Sequence, residues 1–313
     1  MRPPKDNVVR RIIWLDVRAV LLCVLCSLYT GCATGTDLRS VSPPDTTIRQ
    51  EAVQFPGVDG LLKGELFLPV RGSAVAARHP AVVLMHGCGG MYTNRGRLTE
   101  RHRDWAQRFA TWGFVALLVD SLGSRGLGSL CELQKRPIQP WEERTRDAYA
   151  TLDYLAARPD VDRQNVFVMG WSHGGSTVLG VVRADAPGLR GDGPRFKAAI
   201  AYYPGCERPL RAQHYRPTIP LLMQHGMADD WVPATPCAAL ASRLQGQGFA
   251  VATILYPEAH HGFDTPGSPV RFLPRVYNPA SPGGRGAHVG TNEPARLKAI
   301  EDTRRFVERY MTR

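Results

Sequence analysis

The sequence predicts an α/β domain with a mostly parallel sheet flanked by helices. Three observations carry this. Short apolar runs alternate with amphipathic stretches from about residue 51 to the C-terminus, the pattern of strands joined by crossover helices. Gly-rich segments stand at several of the junctions where a strand would hand over to a helix. At 313 residues and 43% apolar content, the chain is long and apolar enough to bury a sizeable core as one large domain or two modest ones.

The opening strands are expected at Glu51–Phe55 and Gly64–Pro69, followed by Ala81–Met85, Phe114–Asp120, Val166–Gly170, Ala198–Tyr203, Ile219–Gln224 and Ala252–Tyr256. Helices fit between and after them at Thr99–Thr111, Trp141–Ala157, Gly175–Arg183, Thr235–Gln245 and Glu293–Met311. Within Trp141–Ala157, Ala148, Leu152, Leu155 and Ala156 recur at helical spacing and give one core-facing stripe. Two stretches break the rhythm: Ser121–Pro140, rich in Gly, Arg and Leu, and Phe263–Thr291, rich in Pro and Gly. Long loops in a compact domain are commonly functional, so both are read as walls of a binding pocket, the first chiefly through Gly123–Cys131.

The first residues differ in kind. Arg2, Lys5, Arg10, Arg11 and Arg18 precede the apolar run Ala19–Tyr29, the order of a secretory signal. The run is shorter than the roughly twenty residues a membrane-spanning helix needs. It ends in Leu28-Tyr29-Thr30-Gly31-Cys32, which resembles a bacterial lipobox except that Tyr29 stands where Leu is usual. Cleavage before a lipidated Cys32, ordinary cleavage nearby, and a retained anchor are the three readings, and each exports the folded part to the periplasm or its membrane. Residues 1–31 are thus a signal peptide, 32–50 a linker and 51–313 the domain.

Of the seven cysteines, Cys88, Cys131, Cys206 and Cys237 belong to the domain, without a CxxC metal pattern. An oxidising periplasm permits disulfides. Cys206 and Cys237 each follow a strand on the presumed catalytic side and are expected to pair. The formal charge of +11 raises the question of nucleic acid, but the basic residues are scattered without interleaved aromatics, so no nucleic-acid partner is expected. A preference for anionic substrates is compatible with the charge.

The chemistry centres on Gly170-Trp171-Ser172-His173-Gly174-Gly175, between a strand and a helix. In that context Gly-x-Ser-x-Gly is the nucleophile elbow of α/β-hydrolases, whose glycines permit a sharp turn that projects the serine over the sheet. A serine hydroxyl needs a base, and the base an orienting acid. In α/β-hydrolases these follow in the order acid, then histidine. His225-Gly226-Met227-Ala228-Asp229-Asp230-Trp231-Val232-Pro233 follows one strand, and Glu258-Ala259-His260-His261-Gly262-Phe263 the next. Asp229 fits the spacing H-G-x-x-D-x-x-V-P, with Asp230 the alternative, and His261, directly before Gly-Phe, is favoured over His260. His86-Gly87-Cys88-Gly89-Gly90 ends the third strand, where the oxyanion loop of such hydrolases lies; the backbone amides of Cys88 and His173 are the expected donors. Cys88 lacks the elbow that a nucleophile would need. His86, His173 and His225 read as loop braces, and neither a metal nor a cofactor is expected.

Together these motifs, with Asp120-Ser121-Leu122-Gly123-Ser124-Arg125-Gly126 after the fourth strand, resemble the dienelactone hydrolase family over most of the chain from about residue 50. The resemblance implies an α/β-hydrolase fold with an eight-stranded sheet and hydrolysis through an acyl-enzyme. It also implies that an arginine after the fourth strand, here Arg125, holds a substrate carboxylate, with a loop-bracing role as the alternative. Trp171, beside the nucleophile, is a second candidate substrate contact. Two departures stand out: the dienelactone enzymes carry a cysteine at the elbow where this chain has Ser172, and His86 replaces their activating glutamate. The reading is therefore a serine esterase for small carboxylic esters or lactones, a monomer or dimer. An acyl transferase or peptidase on the same triad, and an inactive lipid-anchored binding protein, are the rivals.

Overall fold

A computed structural model describes residues 48–69 and 78–312. The expected signal and the lipidation of Cys32 lie outside the described residues, as does most of the linker. Eight strands make the main sheet: β1 (Arg49–Gly57), β2 (Gly60–Leu68), β3 (His79–Met85), β4 (Val115–Asp120), β5 (Val161–Trp171), β6 (Ala199–Tyr202), β7 (Leu221–Gly226) and β8 (Val251–Tyr256). Their order is β1-β2-β4-β3-β5-β6-β7-β8. The pairs β1/β2 and β2/β4 are antiparallel, and from β4 onward every neighbour is parallel. Helices α1 (Glu100–Thr111), α2 (Glu143–Ala156), α3 (His173–Val181), α4 (Glu207–Arg211), α5 (Thr235–Gly246) and α6 (Glu293–Tyr310) connect or follow the strands. The alternation of strands and helices is the one expected from the sequence, and the eight-stranded, mostly parallel sheet is the one the resemblance implies.

The period-2 pleat sorts the strand residues onto two cores. Val82 and Leu84 of β3, Ala116 and Leu118 of β4, and Ile200 of β6 face α1 and α6, packing with Trp105, Phe109 and Ala299. Their neighbours Val83, Leu117, Val168 and Ala201 face α2, α3 and α5, packing with Leu152, Leu179 and Leu240. Burial on both faces explains why the strands read as unbroken apolar runs.

The strand order also fixes where a site can form. After β3 the chain runs outward through α1 to β4, then returns through α2 to β5 on the other side of β3. The connections leave the carboxyl ends of β3 and β5 on opposite faces, so those neighbouring ends, paired at Met85 and Gly170, open a crevice.

Sequence and structure part company inside the two irregular stretches. Phe263–Thr291 contains a hairpin, β9 (Arg271–Tyr277) with β10 (Arg285–Val289). Of β9 only Val276 is buried, so the segment lacks the alternation that would have marked a strand. The expected Cys206–Cys237 disulfide is formed, and a second, unanticipated one joins Cys88 to Cys131.

Candidate active site

The elbow is built by steric exclusion. Ser172, between β5 and α3, sits at φ 54°, ψ −114°, a conformation that a side chain tolerates only when the surroundings enforce it. A methyl group on Gly174 would stand 2.0 Å from the Met85 carbonyl oxygen, and one on Gly170 2.3 Å from the Gly174 oxygen. Only glycine lets β5, the elbow and the end of β3 approach this closely. A methyl on Gly87 would come 3.6 Å from the Cβ of Ser172, so the loop after β3 lies directly against the serine.

The acid and the histidine come from the ends of β7 and β8. His261 Nδ1 donates to Asp229 Oδ2 at 2.8 Å, which leaves Nε2 as the nitrogen free to accept a proton. Asp229 Oδ1 accepts from the amides of Trp231 and Val232 at 3.0 and 2.9 Å. Burial works against the charge of Asp229, but the charge and hydrogen bond of adjacent His261, with His225 Nε2 close by at 3.5 Å, hold its carboxyl well below the ordinary range. The imidazole of His261 lies between the rings of Tyr203 and Trp231, with centroids 4.5 and 4.8 Å away. His261 and Ser172 line one cavity of about 610 Å³ together with Cys88 and Trp231.

The alternative residues have other partners. The carboxylate of Asp230 binds His288, accepting from its backbone N at 2.9 Å and pairing with Nδ1 at 2.7 Å. It clamps β10, whose next residue, Val289, bridges to His261. The ring of His260 lies 5.6 Å from that of His288, tilted by 38°, and it is His261 that bonds Asp229. His225 braces the acid loop, donating from Nε2 to the Val232 carbonyl at 2.6 Å.

Two expected contacts are corrected. Arg125 does not face the cavity: its guanidinium forks onto both oxygens of buried Asp147 at 2.8 Å and reaches Asp59 at 3.0 Å. It ties the loop after β4 to α2 and to the β1–β2 turn, with both Nη atoms committed to those contacts. Trp171 is wholly buried on the α1 side with Phe167 and Met169, and its indole N–H donates to Asp264 at 2.8 Å. The pleat that points Ser172 outward necessarily turns the residue before it into the core.

The sequence reading missed Asp264. This fully buried carboxylate accepts from Trp105 and Trp171 Nε1 at 2.9 and 2.8 Å and from the Tyr203 hydroxyl at 2.6 Å. Three residues after His261, it anchors the histidine loop to α1, β5 and β6. The expected pocket walls are met in part. Ser129, Cys131 and Glu132 line the cavity, opposite Arg271 and Leu273 of β9. Arg101, Arg271 and Arg275 give it positive character, and its one carboxylate, Glu132, is paired to Arg275 at 3.1 Å.

Among the described residues no cluster of His, Cys, Asp or Glu could hold a metal ion. The arrangement offers a strained, exposed-side serine, a carboxylate-oriented imidazole and backbone amides at the start of α3, where the helix leaves N–H groups without internal partners.

Comparison with known proteins bears on the family and the fold. The model of the dienelactone hydrolase family matches residues 69–311. A putative dienelactone hydrolase from Klebsiella pneumoniae superposes with a TM-score of 0.59 at 15% identity, covering 84% of this chain and 100% of that one. Esterase 2 of Thermogutta terrifontis, phosphorylated by paraoxon, gives 0.60 at 22% identity over 86% of this chain and 96% of its own. At such identities the likeness carries the fold alone. Among curated proteins, a probable dipeptidyl-aminopeptidase B of Talaromyces marneffei is 23% identical over 212 residues, 59% of this chain but 22% of that protein. The quorum-quenching protein AidA of Acinetobacter baumannii is 31% identical over 133 residues, 42% of this chain and 39% of that protein. The chain thus spans well under half the length of the curated relatives it matches.

Proposed function

The chain belongs to the dienelactone hydrolase family, and on that premise we propose that it is a serine hydrolase of small carboxylic esters or lactones. One observation carries the reading. His261, oriented by Asp229 at 2.8 Å, shares a cavity with Ser172 held in a strained elbow. His261 Nε2 takes the proton of Ser172 as its oxygen attacks the ester carbonyl, and Asp229 stabilises the imidazolium. The amides of Cys88 and His173 receive the oxyanion. Collapse expels the alcohol with the proton from His261, and water, activated by the same histidine, releases the acid. The guanidiniums of Arg101 and Arg271 favour esters whose far end is anionic, the role once expected of Arg125.

The two disulfides support export to an oxidising compartment, where lipid on Cys32 would hold the enzyme at the membrane. A peptidase reading draws on the dipeptidyl-aminopeptidase relatives. Hydrolysis of p-nitrophenyl acetate and butyrate, beside dipeptidyl p-nitroanilides, tests both. Ester turnover reduced by several orders of magnitude in Ser172→Ala, with fluorophosphonate labelling lost, is the expected result. A folded wild type that neither turns over esters nor labels would return the binding-protein reading, and anilide turnover above ester turnover would make it a peptidase.

A further inference from the structure

Arg144, in the first turn of α2, is 0% exposed. Its Nη2 donates to the carbonyl oxygen of His86 at 2.7 Å, and its Nη1 to His173 Nδ1 at 2.9 Å. A guanidinium only donates, so His173 Nδ1 must be the bare nitrogen and Nε2 carries the proton. His86 precedes Gly87-Cys88, and His173 follows Ser172. One side chain therefore bridges the two loops whose amides are proposed to hold the oxyanion. The ring of His86 adds to the arrangement. Its Nδ1 donates to the Gly87 carbonyl at 2.7 Å, the other end of the peptide whose N–H belongs to Cys88.

The charge of Arg144 is costly where it stands. A nearby carboxylate on the same helix, Asp147, is committed to Arg125 at 2.8 Å, and Arg144 Nε has no partner. Burial is the main cause that lowers its pKa to about 10, which still leaves it charged at neutral pH. The carboxylates of Asp147 and Asp120 favour its charge from a distance, but neither forms an ion pair with it; a buried cation without a directly paired counter-ion is costly, and a neutral donor would serve a purely structural bridge at less cost. The negative charge that would answer it develops on the substrate oxygen during acyl transfer.

We propose that Arg144 is the positioning residue of the oxyanion hole, holding the Cys88 and His173 amides at fixed separation and biasing the site toward negative charge. The inference rests on the serine-hydrolase reading. In Arg144→Met, kcat for p-nitrophenyl butyrate is expected to fall by about 10- to 100-fold with KM within about two-fold. Affinity for an alkyl boronic acid, which forms a tetrahedral anion on the serine, should fall by a like factor. Arg144→Lys, which keeps the charge, should recover part of both. A folded Met variant, judged by near-ultraviolet circular dichroism, with kcat within about three-fold of wild type, or with its loss confined to KM, overturns the proposal. If the Met variant does not fold, the Lys variant decides by whether kcat and boronate affinity fall together. Should the wild type turn over no ester, the serine-hydrolase reading is what fails. Nitrogen NMR of His173 then judges the bridge: a bare Nδ1 whose signal moves in the Lys variant upholds it, and an unmoved signal sinks it.

Discussion

The corner where β3 meets β5 and the corner where β7 meets β8 supply the two halves of one site by different physics. At the first, backbone sterics decide. Gly170 and Gly174 leave no room for a side chain, and Ser172 is forced into its strained conformation by its immediate neighbours. At the second, side chains gathered from the whole molecule decide. His261 is fixed by Asp229, by the rings of Tyr203 and Trp231, by the bridge to Val289, and through Asp264 by Trp105 and Trp171. A sterically forced loop is written into a short motif, whereas a loop held by distant donors is written only into the assembled fold.

The largest test of this contrast separates two neighbouring aspartates at the second corner. Asp229→Asn should lower kcat by about 10⁴-fold, because the imidazole loses its tautomer and its counter-charge. Asp230→Asn should change kcat by less than about three-fold, since that carboxylate is half exposed and holds β10 through His288. Equal losses in steady-state kinetics would mean that the hairpin clamp matters as much as the triad acid.

The first corner has its own vulnerability, to acid. His86, His102 and His173 are buried with pKa values well below 6.5, in each case chiefly through burial and then through Arg144 or Arg101. They are neutral in the native state, while the unfolded chain takes up their protons below pH 6.5. Stability is therefore complete above that value and falls as pH drops below it, by up to about 4 kcal/mol per pH unit if all three stay neutral. Denaturant midpoints at pH 7.5, 6.0 and 5.0 measure this, and a flat profile would show that the corner admits protons without unfolding.

The smallest expected effect returns to the second corner. Asp264→Asn places an amide among the donors of Trp105, Trp171 and Tyr203 and should cost about 1–3 kcal/mol of stability. Thermal unfolding reads the loss directly. An unchanged melting temperature would mean that the histidine loop is held by its ring contacts and its bridge to β10 alone.

What was legible follows the same division. Gly170–Gly175, the His225–Pro233 loop and His261-Gly262-Phe263 stood out as candidates because short motifs that resemble those of hydrolases lie within a few positions of a strand end. For Arg125 the loop-bracing alternative is the one the structure shows; the sequence could not choose it because the partners, Asp147 and Asp59, lie far off in the chain and no local pattern announces them. The burial of Trp171 did have a signal: it shares pleat parity with Phe167 and Met169 on the α1 side.

By itself the sequence determined the alternation of strands and helices and the Gly-Ser-Gly turn after β5, since strand periodicity and glycine sterics act over a few residues, while the candidate aspartate and histidine were legible only through the resemblance to hydrolases. Only the tertiary structure decided which aspartate meets His261, that Arg125 and Trp171 serve the scaffold, that Cys88 pairs with Cys131, and that Asp264 and Arg144 stand behind the site. Those outcomes depend on which buried donors find which acceptors once the layers close. That pairing is made between residues tens to hundreds of positions apart, where burial makes an unmet hydrogen bond costly and so selects a single arrangement.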